Sequence, residues 1–396
     1  MDRGIDQVRP GRTENRAASL PGVYLARLSL TDFRCYESAD VSLEPGVTTF
    51  TGPNGSGKTN LVEAAYYVAT FGSHRVSSDA ALIRSGADRA ILRASIRSQQ
   101  RDSLVELELN SGRANRARLN RAPLSRPRDA LGTLRCVLFA PEDLAIVKGD
   151  PSERRRYLDD LLVASRPRYA GIRADYERVV KQRSALLKSA RAAGRGDPAG
   201  LEVWDEQLVT HGAALTAGRL QLTASLRPLV TDRYNDVSGD AGGASISYRQ
   251  GSERSGVFDP DPEPAKIAQT MREWLERLRR AELERGVCLV GPHRDELELR
   301  IGELPARGYA SHGESWSLAL AFRLAAFGLL RADGEDPVLM LDDVFAELDT
   351  GRRDRLAELA GDAEQVLVTA AVLADVPARL SGTGYTVSNG VLDRAA

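Results

Sequence analysis

From Val23 onward, apolar and polar positions alternate with a period of two. In VYLARLSLTDF, Tyr24, Ala26, Leu28 and Leu30 fall on one side, and Leu25, Arg27, Ser29 and Thr31 on the other. This predicts a strand. A second follows in ADVSLEPG, before the turn at Pro45-Gly46, and a short third in VTTF. NLVEAAYYVATFG reads as a helix ended by Gly72. Alternation resumes over residues 90–124 and predicts an antiparallel meander.

After Gly149-Asp150-Pro151 the period becomes helical. Apolar residues fall at Tyr157, Leu158, Leu161 and Leu162, then at Tyr169, Ile172, Tyr176, Val179, Val180 and Leu187. Further helical runs start at Trp204 and Ile267, separated by a Gly/Ser-rich break with one short strand, ASISYRQ. Strand character returns at VCLVGPHRDELELRI. PVLMLDD and QVLVTAA have the continuous apolar character of central α/β strands. The expected division is an α/β head from residues 23–150 and 285–396, with a mixed sheet and an antiparallel layer, and an inserted helical lobe at 151–284. Residues 1–22 read as a disordered tail or an over-early start.

The 396 residues, 42% hydrophobic and 28% charged, fit a globular protein with a large core. With 54 basic and 55 acidic side chains the net charge is −1, so a nucleic-acid face must be a local patch. Cys35, Cys136 and Cys288 are too few and too scattered for a disulfide framework or zinc site. Cys136 and Cys288 read as buried strand residues, and a reducing cytoplasm fits. No secretory signal and no apolar run of bilayer length is apparent, so no membrane association is expected.

Chemistry enters at Gly52-Pro53-Asn54-Gly55-Ser56-Gly57-Lys58-Thr59, which matches G-x-x-x-x-G-K-[ST] between an apolar strand and a helix. Glycines let backbone N–H groups converge on phosphate oxygens, and the helix points its positive end at them. Lys58 reaches the β- and γ-phosphates, and the Thr59 hydroxyl ligates Mg²⁺. VLMLDDVFAELD supplies the partner carboxylates: Asp342 to hold the metal and Asp343 to orient the attacking water.

Lys58 and Asp342 lie 284 positions apart, and Ser311-His312-Gly313-Glu314 opens an apolar helix shortly before the second. This arrangement resembles the ABC-type ATPases, whose signature commonly reads Ser-Gly-Gly-Gln. LSLTDFRCYES, GPNGSGKTNLVEAAYYVATFGSHR, VLFAPEDLAIVKGDPSERRRYLDDLL, GPHRDEL, SHGES and LDDVFAELD narrow the resemblance to the RecF family of DNA-repair ATPases, related to the SMC heads. The resemblance implies ATP sandwiched in a homodimer, slow hydrolysis and binding to gapped DNA with single- and double-stranded parts. It also implies work with RecR and RecO, recombinase loading and SOS induction. It assigns Gly52 to Thr59 to ATP and Mg²⁺, Asp342 and Asp343 to metal and water, and Ser311 and Gly313 to the trans signature. It further gives Asp349 to communication across the dimer and Arg34 to a place near the phosphates.

The sequence departs from the pattern at several points. Asp343 stands where transporter ATPases usually carry Glu. His312 and Glu314 replace Gly and Gln. Thr369-Ala370 follows QVLV with no histidine, and no Q-loop glutamine is evident, the Glu142-Asp143 turn being a candidate. Other readings stay open. His293-Arg294 and His74-Arg75 fit either a structural or a ligand role, and His211 fits a core position. Arg154, Arg155, Arg156, Lys181, Arg183, Lys188, Arg191 and Arg195 fit either DNA phosphates or a solvated helix face. A transporter ATPase subunit, a P-loop small-molecule kinase and a structural SMC-like clamp are the rival functions. The last would need extended heptads, which are absent.

Overall fold

The computed structural model describes residues 22–98, 102–194, 198–239, 242–251, 257–259 and 261–395. The expectations for residues 1–21 and for Arg195 lie outside these. Along the chain the first part runs β1 (Val23–Phe33), β2 (Tyr36–Ser42), β3 (Gly46–Thr51), α1 (Lys58–Thr70), β4 (Arg89–Ser98), β5 (Asp102–Asn110), β6 (Arg116–Leu119), β7 (Ala122–Pro123) and β8 (Cys136–Phe139). Next come α2 (Leu144–Lys148), α3 (Pro151–Ser165), α4 (Tyr169–Ala192), α5 (Leu201–Ser238), β9 (Ala244–Gln250), β10 (Val257–Phe258) and α6 (Pro264–Arg285). The last part holds β11 (Glu296–Ile301), β12 (Leu304–Pro305), α7 (Ala306–Tyr309), α8 (His312–Ala332), β13 (Val338–Asp342), α9 (Thr350–Ala360), β14 (Gln365–Ala370), β15 (Thr383–Ser388) and β16 (Val391–Arg394).

The central sheet has the order β16-β15-β3-β14-β13-β8, parallel except for β15–β16. Its middle strands are buried on both faces. In β13, Val338 and Met340 enter one core and Leu339 and Leu341 the other. That is why PVLMLDD is apolar without alternation. One core lies under the antiparallel sheet β2-β1-β4-β5-β6-β7 and α1. The second holds α8 and the long α5. By length and composition α8 could cross a bilayer, but 72% of its apolar window is buried inside the fold.

The structure changes some local expectations. In β1 the register shifts between Leu25 and Arg27, so Leu25, Leu28 and Leu30 are all buried despite their opposite parity. Helix α1 stops at Phe71, in left-handed conformation, rather than at Gly72. Cys288 is buried, but in the loop before β11 rather than in a strand. β9 and β10 fall within 151–284, yet β9 pairs with β11 from Glu296↔Arg249 to Ile301↔Ala244, so this segment and the head share a sheet.

Candidate functional site

Three parallel strands, β3, β14 and β13, end side by side, with Phe50, Thr369 and Asp342 in register. After β3 the chain turns through the glycine loop into α1. Gly57 has φ +114°, and a Cβ there would lie 2.8 Å from Cys35 Sγ and from Tyr36 Oη. No other residue fits without displacing them. The Tyr36 hydroxyl donates to Gly57 O at 3.0 Å and pins the loop. Lys58, buried, donates its ammonium to the carbonyls of Gly52 (2.8 Å) and Pro53 (3.1 Å).

The carboxylate of Asp342, 284 positions from Lys58, closes the site. Its Oδ1 accepts from Thr59 Oγ1 at 3.0 Å and from Thr369 Oγ1 at 2.6 Å. Thr369 Oγ1 in turn accepts the Asp343 N–H at 2.9 Å. Burial, opposed by the Thr369 hydrogen bond and aided by Asp343, raises the Asp342 pKa to about 6. Asp343, at φ +50°, turns its side chain to a cavity of about 420 Å³ that Lys58, Thr59, Arg75 and Thr369 also line. Within the glycine loop itself, Ser56 Oγ is buried without a hydrogen-bond partner among the described residues.

These features fit a nucleotide triphosphate and a divalent cation. The loop offers an ammonium, an orphan hydroxyl and a helix N-terminus, and Thr59 with Asp342 offers an oxygen pair that suits Mg²⁺.

The trans elements assemble separately. Ser311 caps α8: its Oγ accepts the Glu314 N–H at 3.2 Å, while the Glu314 carboxylate accepts the Ser311 N–H at 2.8 Å. Asp349 caps α9 and pairs with Arg352, whose Nε donates to Ser317 Oγ at 2.9 Å. A Cβ on Gly313 would lie 3.1 Å from the Arg352 guanidinium. Arg352 therefore joins the Ser311–Gly313 turn to Asp349, a link that no local pattern in the sequence signals. Arg34 is held within the fold. Its fork grips buried Glu63 at 2.8 and 2.7 Å and donates to Ala81 O, so its donors serve α1 and the loop after it.

Two groups at this site carry little sign of their role in the sequence. Thr369 stands out there only as a missing histidine. His74, from the loop after α1, puts Nε2 3.9 Å from Asp342 Oδ2. Burial pulls its pKa to about 4, so the imidazole is neutral, and neither nitrogen has a hydrogen-bond partner. His293 and Arg294 prove structural: His293 Nδ1 meets the Tyr176 hydroxyl at 2.6 Å, and Arg294 donates to Cys288 O. His211 is only half-buried, against Gln207. Arg154 and Arg183 are neither solvated nor open to DNA. Arg154 is buried against Glu296, and Arg183 against Asp205 and Glu282.

Comparisons with known proteins follow the same lines. The family model for the RecF/RecN/SMC N-terminal domain matches residues 24–375. The DNA replication and repair protein RecF of Streptomyces avermitilis is 58% identical over 377 residues, covering 94% of this chain and all of that protein. That of Frankia alni is 57% identical, with the same coverage. A structure of the recombination mediator protein RecF with ATP, from the RecFOR pathway, superposes with a TM-score of 0.86 at 26% identity, over 96% of this chain and all of that one. An Smc head from Pyrococcus furiosus, at 18% identity and TM-score 0.53 over 94% of this chain and 96% of that one, shares the fold. The chain belongs to the RecF/RecN/SMC family and, within it, to the RecF proteins.

Proposed function

We infer that this protein is an ATP-binding switch of recombinational DNA repair, in which two copies close over shared nucleotide and hold DNA while they are closed. One observation carries this most: the Thr59–Asp342–Thr369 cluster, built from three distant segments beside a glycine loop. The relatives' names and the ATP-bound RecF structure support the repair role and the nucleotide. They lend nothing to a transporter subunit or a metabolite kinase.

Thr59 and Asp342 hold Mg²⁺, which neutralises charge on the phosphates. Lys58 exchanges its carbonyl partners for phosphate oxygens. Asp343 orients the attacking water, and its shorter arm relative to Glu fits slow, DNA-dependent turnover. Ser311, Gly313 and Asp349 meet the nucleotide of the other copy. RecR and RecO are the protein partners at gaps, with recombinase loading and SOS induction as the outcome.

Sedimentation of Asp343→Asn with ATP and gapped duplex is the test. A dimer that persists with ATP, and is lost on adding Ser311→Arg while ATP binding survives, is expected. An Asp343→Asn protein that stays monomeric under saturating ATP and DNA sinks the reading.

A further inference from the structure

Eighteen residues, 111 to 128, contain six arginines and no acid, in a chain whose net charge is −1. The run, which ends at Asp129, builds the β6–β7 edge of the antiparallel sheet and the segment after it. Arg113, Arg116, Arg118, Arg121 and Arg126 are exposed and Arg128 is half-buried. Among the described residues none of the six makes a side-chain hydrogen bond or ion pair, whereas arginines elsewhere are widely paired. Across the sheet Glu106 and Glu108 face Arg118 and Arg116, but they already pair with Arg93 (3.2 Å) and Arg89 (3.7 Å). Each row thus sets two guanidiniums against one carboxylate.

The edge is also held in shape. The hairpin turns through Asn120 (φ +52°) and Arg121 (φ +70°), left-handed positions that ordinarily favour Asn or Gly. Asn120 ties the turn down through the Leu104 N–H and carbonyl. An arginine kept in that conformation is presented to solvent by a braced turn. Arg116 and Arg118 share one face about 6.8 Å apart, comparable with neighbouring phosphates along a strand. Beside the edge opens a cavity of about 630 Å³, floored by Tyr67, Phe71, Leu107 and Leu109 and bordered by Arg116, Arg126 and Arg128. Its two acids are satisfied: Asp79 accepts from Asn115 at 2.7 Å, and Asp175 from Arg178 at 3.0 Å.

Resting on the DNA-binding reading above, we propose that the arginine edge of residues 113–128 is the surface that grips the nucleic-acid backbone. Arginine forks match phosphate oxygens two at a time, and an uncompensated cluster gains by releasing counterions from the polyanion. The alternative face, on α4, is poorer: Arg183 is buried and Arg191 donates to Arg285 O, leaving exposed Lys181 and Lys188.

The test is fluorescence anisotropy with a labelled gapped duplex and a non-hydrolysable ATP analogue, read against salt. Arg116→Gln/Arg121→Gln/Arg126→Gln should bind at least tenfold more weakly near 0.15 M salt. Its log–log salt slope should flatten by about one for each phosphate that the variant no longer neutralises. Unchanged ATP affinity and thermal midpoint show that the triple variant is folded. Lys181→Gln/Lys188→Gln should stay within twofold of wild type. A triple variant with wild-type affinity and slope overturns the assignment and leaves the edge to solvent or an acidic protein. Wild-type protein that fails to bind the duplex at all instead removes the DNA-binding reading beneath it.

Discussion

Asp342→Asn should make the nucleotide-free protein more stable at alkaline pH while destroying its response to nucleotide. Asp342 is 3% exposed, and its pKa is raised from an ordinary 3.8 to about 6. A carboxyl raised in this way holds its proton more tightly folded than unfolded. Its contribution is fully favourable below about pH 3.8 and is lost as pH rises through about 6. Two pH units correspond to about 3 kcal/mol, the ceiling of what the ionised group costs at pH 8. Asparagine keeps an oxygen for Thr59 and Thr369 but loses the strengthening that a charge gives those bonds, so a net gain of about 1–2 kcal/mol remains. For a chain of this size that is about 1–3 °C in thermal midpoint. The assay is calorimetry in EDTA at pH 8 and pH 5, then at pH 8 with Mg²⁺ and ATP. The variant's advantage should shrink at pH 5, and only the wild type should gain from Mg²⁺-ATP. A variant no more stable than wild type at pH 8 without nucleotide refutes the reasoning.

Lys58→Ala should abolish ATP binding in titration calorimetry, because among the described residues only the Lys58 ammonium reaches the loop carbonyls; retained affinity would remove Lys58 from the phosphate site. Arg183→Met should cost about 3–5 kcal/mol in chemical denaturation, because Glu282 would remain buried and charged without its partner. Restoration by the added change Glu282→Gln checks that cause. Glu314→Gln keeps the helix cap but removes a negative charge beside the proposed site for the partner's triphosphate. ATP-dependent dimers should tighten about three- to tenfold by sedimentation, and weaker dimers would contradict the trans placement of Ser311.

Local patterns carried much of this architecture. The glycine loop, the double acid and the apolar runs of β13 and β14 are each legible because backbone geometry or two-sided burial dictates their residue types. What stayed hidden depended on partners far along the chain. Arg183 looks like part of a basic helix face until Asp205 and Glu282, 22 and 99 positions away, fold over it. Leu25 looks misplaced in β1 until a bulge resets its parity. The family resemblance puts Arg34 near the phosphates, but in this structure Glu63 claims its fork.

The chemistry of the site converges on a single carboxylate. β3 and β13 are not neighbours; β14 lies between them, and its Thr369 hydroxyl bridges by donating to Asp342 while accepting from the Asp343 backbone. A hydroxyl does both at once, which an imidazole nitrogen cannot, so threonine at this position locks the two acids to one strand. Thr59 from α1 and His74 from the following loop approach the same carboxylate. Any change in its charge, by protonation or by a cation, therefore acts at once on its bonds to β14 and α1 and on the unbonded imidazole 3.9 Å away. Helix α1 then runs about 14 Å from Lys58 to Tyr67 and about 20 Å to Phe71, two residues that floor the cavity beside the arginine edge. The proposed nucleotide site at one end of α1 and the proposed nucleic-acid contact near the other are thus joined by a single helix.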